Sequence, residues 1–308
     1  MRAFLVLATQ VMILFVCNLP LPKISTMTIS RKISRVIRGQ LAMDGAGVKL
    51  RRIFGFQEEG LFDPFLLLDF FGSDNPKEYM AGFPWHPHRG METVTYMLEG
   101  KVEHADSLGN KGIIGTGDLQ WMTAGSGIIH QEMPLSDSQR MYGFQLWVNL
   151  PANAKMMKPR YQEIKAADIP SVEPGEHVKV KVIAGSFQGI RGPVEEIVAD
   201  PLYLDIQLAA HTSFSVPVSA GHTAFGFVFE GEAYLDTTRK EPVRAGEVAL
   251  YEEGEQVDIR TSSLPARMLL VAGKPLHEPV AWRGPIVMNT EEELAEAFRE
   301  YREGTFIK

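Results

Sequence analysis

The feature that most constrains this chain is its punctuation. From Ile29 onward, short runs of alternating apolar residues are broken every few positions by Gly, Pro, Asn or Asp. Thr93-Val94-Thr95-Tyr96-Met97-Leu98, Gln145-Leu146-Trp147-Val148 and Ala224 to Phe229 are examples. Side chains alternate faces along a strand, so many such runs bounded by turn residues specify an all-β sandwich or barrel. Helical periodicity is convincing only near the end. There Asn289 or Thr290 can cap a run with Leu294, Phe298 and Tyr301 on one stripe, stopped at Gly304.

The pattern also repeats. Tyr96-Met97-Leu98-Glu99-Gly100 is echoed by Phe227-Val228-Phe229-Glu230-Gly231. Downstream, Gly117-Asp118 is echoed by Gly246-Glu247, at offsets of 17 and 15 residues from the respective glycines. In each half an apolar strand reaches a Glu-Gly turn, then another strand, then a Gly-acidic turn, and Gly supplies the positive φ that such turns need. Two similar β-barrels in tandem are the economical reading, joined by a Pro- and Lys-bearing connector between Pro151 and Pro170. A length of 308 residues accommodates two domains.

The formal charge of -7 is spread without acidic or basic blocks, which argues against a nucleic-acid surface and leaves a protein partner open. The single cysteine, Cys17, excludes an internal disulfide and leaves no thiolate ligand in the body of the chain. Arg2 precedes a run from Ala3 to Cys17 whose only polar members are Thr9 and Gln10. That stretch resembles a signal peptide and is too short for a confident membrane span, but no small-x-small cleavage site follows. We expect translation to start at Met27 and the protein to be cytoplasmic; export through this leader is the alternative. Residues 1–26 are set apart from the fold in either case.

With thiolates excluded, any metal must be held by carboxylates and by some of the eight histidines. His86-Pro87-His88 and His130-Gln131-Glu132 are two i, i+2 pairs, separated by 42 residues from His88 to His130. On a strand, residues two apart face the same side, so two such strands meeting in a barrel bring three imidazoles and a carboxylate around one point. That set suits a divalent first-row ion. It would leave a net charge of about +1, and an octahedral ion would keep about two open positions. Glu92 competes as the carboxylate, since it lies four residues from His88 and would share its side of a continuous strand. A surface turn at His-Pro-His is the bland alternative for the first pair.

The second half lacks the set. The positions that correspond by offset from Gly231 and Gly246 are Pro217, Ser219, Ile259 and Thr261. His211 and His222 read as ordinary barrel or loop residues. One metal per chain is expected, within an N-terminal barrel at 27–155; residues 156–308 form a ligand-free barrel plus the C-terminal helix.

Several long blocks resemble the pirin family closely: Gly82-Phe83-Pro84-Trp85-His86-Pro87-His88-Arg89-Gly90, Glu92 to Gly100, Gln120 to Gly125, His130-Gln131-Glu132-Met133-Pro134, Gln145 to Pro151 and Gly284 to Asn289. The resemblance runs from about Ile29 to the C-terminus. It implies two tandem cupin barrels with iron in the first, held by His86, His88, His130 and Glu132, and so favours Glu132 over Glu92. Trp85 stands where the family commonly has an acidic residue, and Ser126 where it commonly has Arg; both are expected at the mouth of the site. Pirins generally lack leaders, which favours the Met27 start.

The resemblance further implies an Fe(II)-dependent, quercetinase-like dioxygenase acting on a flavonol or similar enol, with Glu132 accepting the substrate proton. His and carboxylate ligands would also accept Mn, Co, Ni, Cu or Zn. Motif proximity makes Phe83 and Met122 candidate apolar walls and Gln145 a candidate polar one, with core packing the competing role for each. The alternative, from another class, is a regulator that uses the oxidation state of iron to alter binding to a protein partner. A metal-stabilised scaffold without turnover is the blandest reading.

Overall fold

The computed structural model describes residues 28–135 and 140–308. The leader and the Met27 start lie outside the described residues. Among the described residues, no helix is long and apolar enough to cross a membrane.

The expected strands form, each longer than its sequence pattern: Met91–Glu99, Met141–Asn149 and Thr223–Ala233. In the first half, a seven-stranded sheet runs Arg160–Ile164, Leu119–Thr123, Met91–Glu99, Met141–Asn149, Phe65–Ser73, Val48–Phe54, Gln40–Asp44. A four-stranded sheet, ordered Phe83–His88, Ile128–Pro134, Val102–Asp106, Lys111–Ile114, completes that barrel. In the second half, a larger sheet built around Thr223–Ala233 is completed by the pair Ser213–Pro217 and Gln256–Arg260.

The repeat seen in the sequence is a repeat of hydrogen bonds. Gly117 N donates to Met97 O at 2.8 Å, and Gly246 N donates to Val228 O at 2.9 Å, the same bond at the same place in each barrel. All four echoed glycines are left-handed, with φ of +89° and +82° at Gly100 and Gly117, and +68° and +88° at Gly231 and Gly246.

The halves exchange strands. Ile33–Arg38 pairs with Glu247–Tyr251 of the second barrel, while Arg160–Ile164 pairs with Leu119–Thr123 of the first. The two large sheets then pack back to back around one core, in which Val94, Tyr96 and Phe144 meet Tyr203, Phe225 and Phe227. The second barrel is filled by its own side chains, among them Val216, Val257 and Ile259. Ile259 therefore occupies the place that corresponds to His130, and apolar packing replaces a site.

The C-terminal helix spans Glu291–Glu303. Thr290 caps it through a reciprocal pair with Glu293, and Gly304 closes it at φ +75°. Its buried stripe differs from the expected one. Leu294 and Ala297 are buried and Phe298 partly so, whereas Tyr301 remains 39% exposed and meets Phe306 edge-on. The missing component of the stripe was the short Ala297, which a search for large apolar residues passes over.

The two glycines of the second barrel offer a test. A Cβ at Gly231 would stand 1.9 Å from the backbone oxygen of Pro265, whereas one at Gly246 would lie 3.5 Å from the flexible Arg51 side chain, its nearest neighbour among the described residues. Gly246→Ala should cost only the left-handed penalty, about 1–2 kcal/mol. Gly231→Ala must also displace a neighbouring strand and should cost clearly more, read as a lower urea midpoint at unchanged slope. Equal losses for both would contradict the close approach.

Candidate metal centre and substrate cavity

Three imidazoles converge inside the first barrel. His86 and His88 share one face of Phe83–His88, and Ile128–Pro134 buries Ile128, His130, Glu132 and Pro134 in strict alternation. The two strands are antiparallel with His130 directly opposite His86. The ring centroids lie 4.4 Å (His86–His130), 4.9 Å (His86–His88) and 5.1 Å (His88–His130) apart. One ring nitrogen from each falls within 4.8 Å of the other two.

The protonation pattern follows from what surrounds the rings. Nδ1 of His86 lies 2.8 Å from Pro84 O, and Nδ1 of His88 lies 3.1 Å from Pro285 O. A carbonyl can only accept, so each Nδ1 carries the proton and donates it. The two Nε2 atoms face each other at 3.1 Å, and that of His88, in a ring that burial keeps neutral, is left as a lone pair. Burial holds His88 and His130 well below the ordinary imidazole range, and the neighbouring imidazoles push them further down. Among the described residues, neither ring nitrogen of buried His130 has a hydrogen-bond partner. Converging lone pairs, fixed tautomers and an orphaned buried imidazole fit one metal ion, with the backbone carbonyls orienting its ligands.

Glu132 stands beside this group and outside the mutual 4.8 Å set. Its carboxylate is held by polar neighbours: Thr95 Oγ1 lies 3.0 Å from Oε1, and Gln145 Nε2 donates to Oε2 at 3.1 Å. Glu92 is elsewhere. Gly90, at φ +76°, breaks the strand after His88, so the parity that relates His88 to Glu92 is lost. Glu92 shares the outer face of Met91–Glu99 with Val94 and Tyr96 and accepts from Thr123 Oγ1 at 2.6 Å. Burial raises its pKa, partly opposed by Thr123 and Trp121.

A cavity of about 710 Å³ opens beside the imidazoles. Phe83 and Gln145 line it, together with Leu67, Phe71 and Trp147. Met122 does not; it is fully buried against Ala124 and Ile128, so its role is packing. Of the two atypical positions, Trp85 lines the cavity and is 52% exposed at its mouth. Ser126 is not at the mouth. It is buried in the loop before Ile128, and its carbonyl accepts from Arg89 Nε at 2.7 Å.

Sequence reasoning missed the contribution of the C-terminus. Besides Pro285, Trp282, Arg283 and Gly284 line the cavity, and Trp282 meets Phe56 edge-on at 5.5 Å. Behind His88, the buried Arg89 guanidinium donates to Glu300 at 2.6 Å and to Phe306 O at 2.7 Å, and lies over the Phe306 ring. Buried Lys155 ties Gly90 O (2.8 Å) and Val287 O (3.1 Å) to Asn149 Oδ1 (2.6 Å), and burial lowers its pKa to about 7. Buried cations at sequence-distant contacts leave no local signal; only their being Arg and Lys within apolar surroundings could have hinted at them.

Also missed was the far wall of the cavity, where Arg52 holds Asp69 through two bonds of 2.9 and 2.8 Å and Asp44 through one of 2.7 Å. Burial pushes the Asp69 carboxyl up to about 6 against the pull of Arg52.

Residues 47–148 match the pirin family model, and residues 203–307 match the pirin C-terminal cupin domain. A pirin-like protein of Caulobacter vibrioides is 46% identical over 277 residues, 90% of this chain and 99% of that one. Pirin of Rattus norvegicus is 42% identical over 283 residues, 90% of this chain and 94% of that one. The crystal structure of a quercetin 2,3-dioxygenase from Acinetobacter baumannii superposes with a TM-score of 0.84 at 33% identity, covering 90% of this chain and 98% of that one. A bacterial pirin of Escherichia coli, solved in complex with nickel(II), shares the fold at 22% identity and a TM-score of 0.59, covering 78% of this chain and 98% of that one. The chain belongs to the pirin family, with its cluster of three imidazoles in the first of two cupin barrels.

Proposed function

We propose that this protein is an Fe(II)-dependent dioxygenase of flavonols or similar enols, with His86, His88, His130 and Glu132 holding the ion. The observation that carries this reading is the meeting of three converging imidazoles with a largely apolar cavity of about 710 Å³, a volume suited to an aromatic of two or three rings. When bound, the ion supplies Lewis acidity and a template for bringing substrate and dioxygen together.

The chain's own residues do the rest. Leu67, Phe71, Phe83 and Trp147 pack against the rings and exclude water. An enol losing its proton in a dry cavity needs an acceptor already in place, and the Glu132 carboxylate is aimed by Thr95 and Gln145 for that task. The likeness to the Acinetobacter baumannii quercetin 2,3-dioxygenase supports the reaction class. The choice of iron rests on the family resemblance, because a His and carboxylate set also accepts Mn, Co, Ni, Cu or Zn. A redox-sensing regulator acting through a protein partner would use the same ligands, and a cavity beside them favours turnover.

Two outcomes are expected. Glu132→Gln should weaken iron binding by about tenfold or more, the scale seen when only the support of a ligand is lost. Glu92→Gln should leave one ion per chain by elemental analysis; the reverse pattern would make Glu92 the ligand. The anaerobically loaded Fe(II) protein should consume oxygen and flavonol in step over many turnovers, and His130→Ala should abolish this. A spectral change on oxidation with no turnover across a broad enol panel would replace the enzyme by the regulator.

A further inference from the structure

The floor of the cavity carries a polar row that the proposed chemistry uses only at one end. Directly paired residues on neighbouring antiparallel strands share a face. The pairings Thr95–Gln145, Gln145–Asp69 and Asp69–Arg52 therefore lay these four residues in one line across four strands of the large sheet. All four line the cavity. The adjacent rows on the same face are largely apolar: Trp147 and Leu67 on one side, Phe71 and Leu50 on the other. Hydrophobic walls thus flank a single polar track.

The track begins at the reacting end, where Thr95 and Gln145 hold Glu132. Toward its other end lies Asp69, only 4% exposed yet on the cavity surface, fixed by Arg52 and, through Arg52, by Asp44. Strands in a sheet are spaced by about 4.8 Å, so Asp69 lies about 10 Å from Thr95. That is the length of an aromatic of two or three rings. A carboxylate accepts on several lone pairs, and the two bonds from Arg52 leave capacity on both oxygens. Two carboxylates against one guanidinium make the group net negative. It attracts a hydroxyl proton and repels an anion.

We infer that Asp69, positioned by Arg52, is a distal anchoring point that accepts a hydrogen bond from a hydroxyl group at the end of the substrate remote from the enol. This rests on the flavonol reading of the site and narrows it to substrates hydroxylated on the distal ring, against those carrying a carboxylate there.

The test uses the full-length, metal-loaded protein under anaerobic conditions and three flavonols differing only in the distal ring: unsubstituted, hydroxylated or carboxylated. Affinity is read from quenching of tryptophan fluorescence. The wild type should prefer the hydroxylated ligand to the unsubstituted one by about 10- to 100-fold, the value of a hydrogen bond to a charged group. In Asp69→Asn that ratio should fall toward unity while the carboxylated ligand gains affinity, a gain that loss of structure cannot mimic. Should Asp69→Asn not fold, Asp44→Asn removes one negative charge at a half-exposed position and should move the carboxylated ligand in the same direction, by less. Undiminished preference for the hydroxylated ligand in Asp69→Asn, or no gain for the carboxylated one in either variant, overturns the anchor and leaves the flavonol reading intact. Failure of all three flavonols to bind the wild type overturns both.

Discussion

One strand, Met91–Glu99, is buried on both faces, and the rest of the molecule is arranged around that condition. Its even-numbered side chains, Val94 and Tyr96, enter the core between the two barrels; its odd-numbered ones, Thr95 and Met97, enter the interior of the first. Period two allows no sharing between these environments. A shift of register by one residue would carry Tyr96 into the cavity and Thr95 into an apolar core. The back-to-back packing therefore fixes the register, and the register fixes where Thr95 meets Glu132. Cohesion between the halves and placement of a polar group in the cavity are one constraint.

The sequence made legible whatever depends on short-range pattern. Alternation revealed the strands, and the echoed glycines revealed the duplicated turn, because a left-handed residue at a tight turn is a local requirement that Gly meets at least cost. The two i, i+2 pairs were legible for the same reason, and one member of each, His86 and His130, lie directly opposite one another across the strands. The choice between Glu132 and Glu92 was not legible from spacing. Parity arguments assume an unbroken strand, and Gly90 breaks it between His88 and Glu92. A glycine that could have been a mere weak point is instead the place where the count restarts.

What remained hidden was assembled over long distances. Pro285 supplies the carbonyl for His88, Lys155 binds the oxygens of Gly90 and Val287, and Asp69 meets Gln145 across a sheet. Lys155 and Asp69 lie outside the recognised blocks and Pro285 sits in one without a reactive group of its own, and their neighbours in sequence say nothing about their neighbours in space. Met122 and Ser126 erred in the opposite direction. Both lie within recognisable blocks near the site, yet one fills a core and the other lends only its carbonyl to Arg89. Proximity in a motif is proximity along the chain; which face a side chain takes is decided by pleat and loop.

The folding back of the C-terminal segment onto the first barrel bears on the order of events during synthesis. His88 lies in the first third of the chain, but the carbonyl that fixes its tautomer belongs to Pro285, and Arg89 beside it is held by Glu300 and Phe306. A ribosome delivers these partners about 200 residues later. A nascent N-terminal half can contain every imidazole and still present them without the proton placement that turns their lone pairs inward. The donor set reaches its final form only once the segment around Pro285 has been made and has folded back, so the topology of the chain places maturation of the centre well after synthesis of its imidazoles.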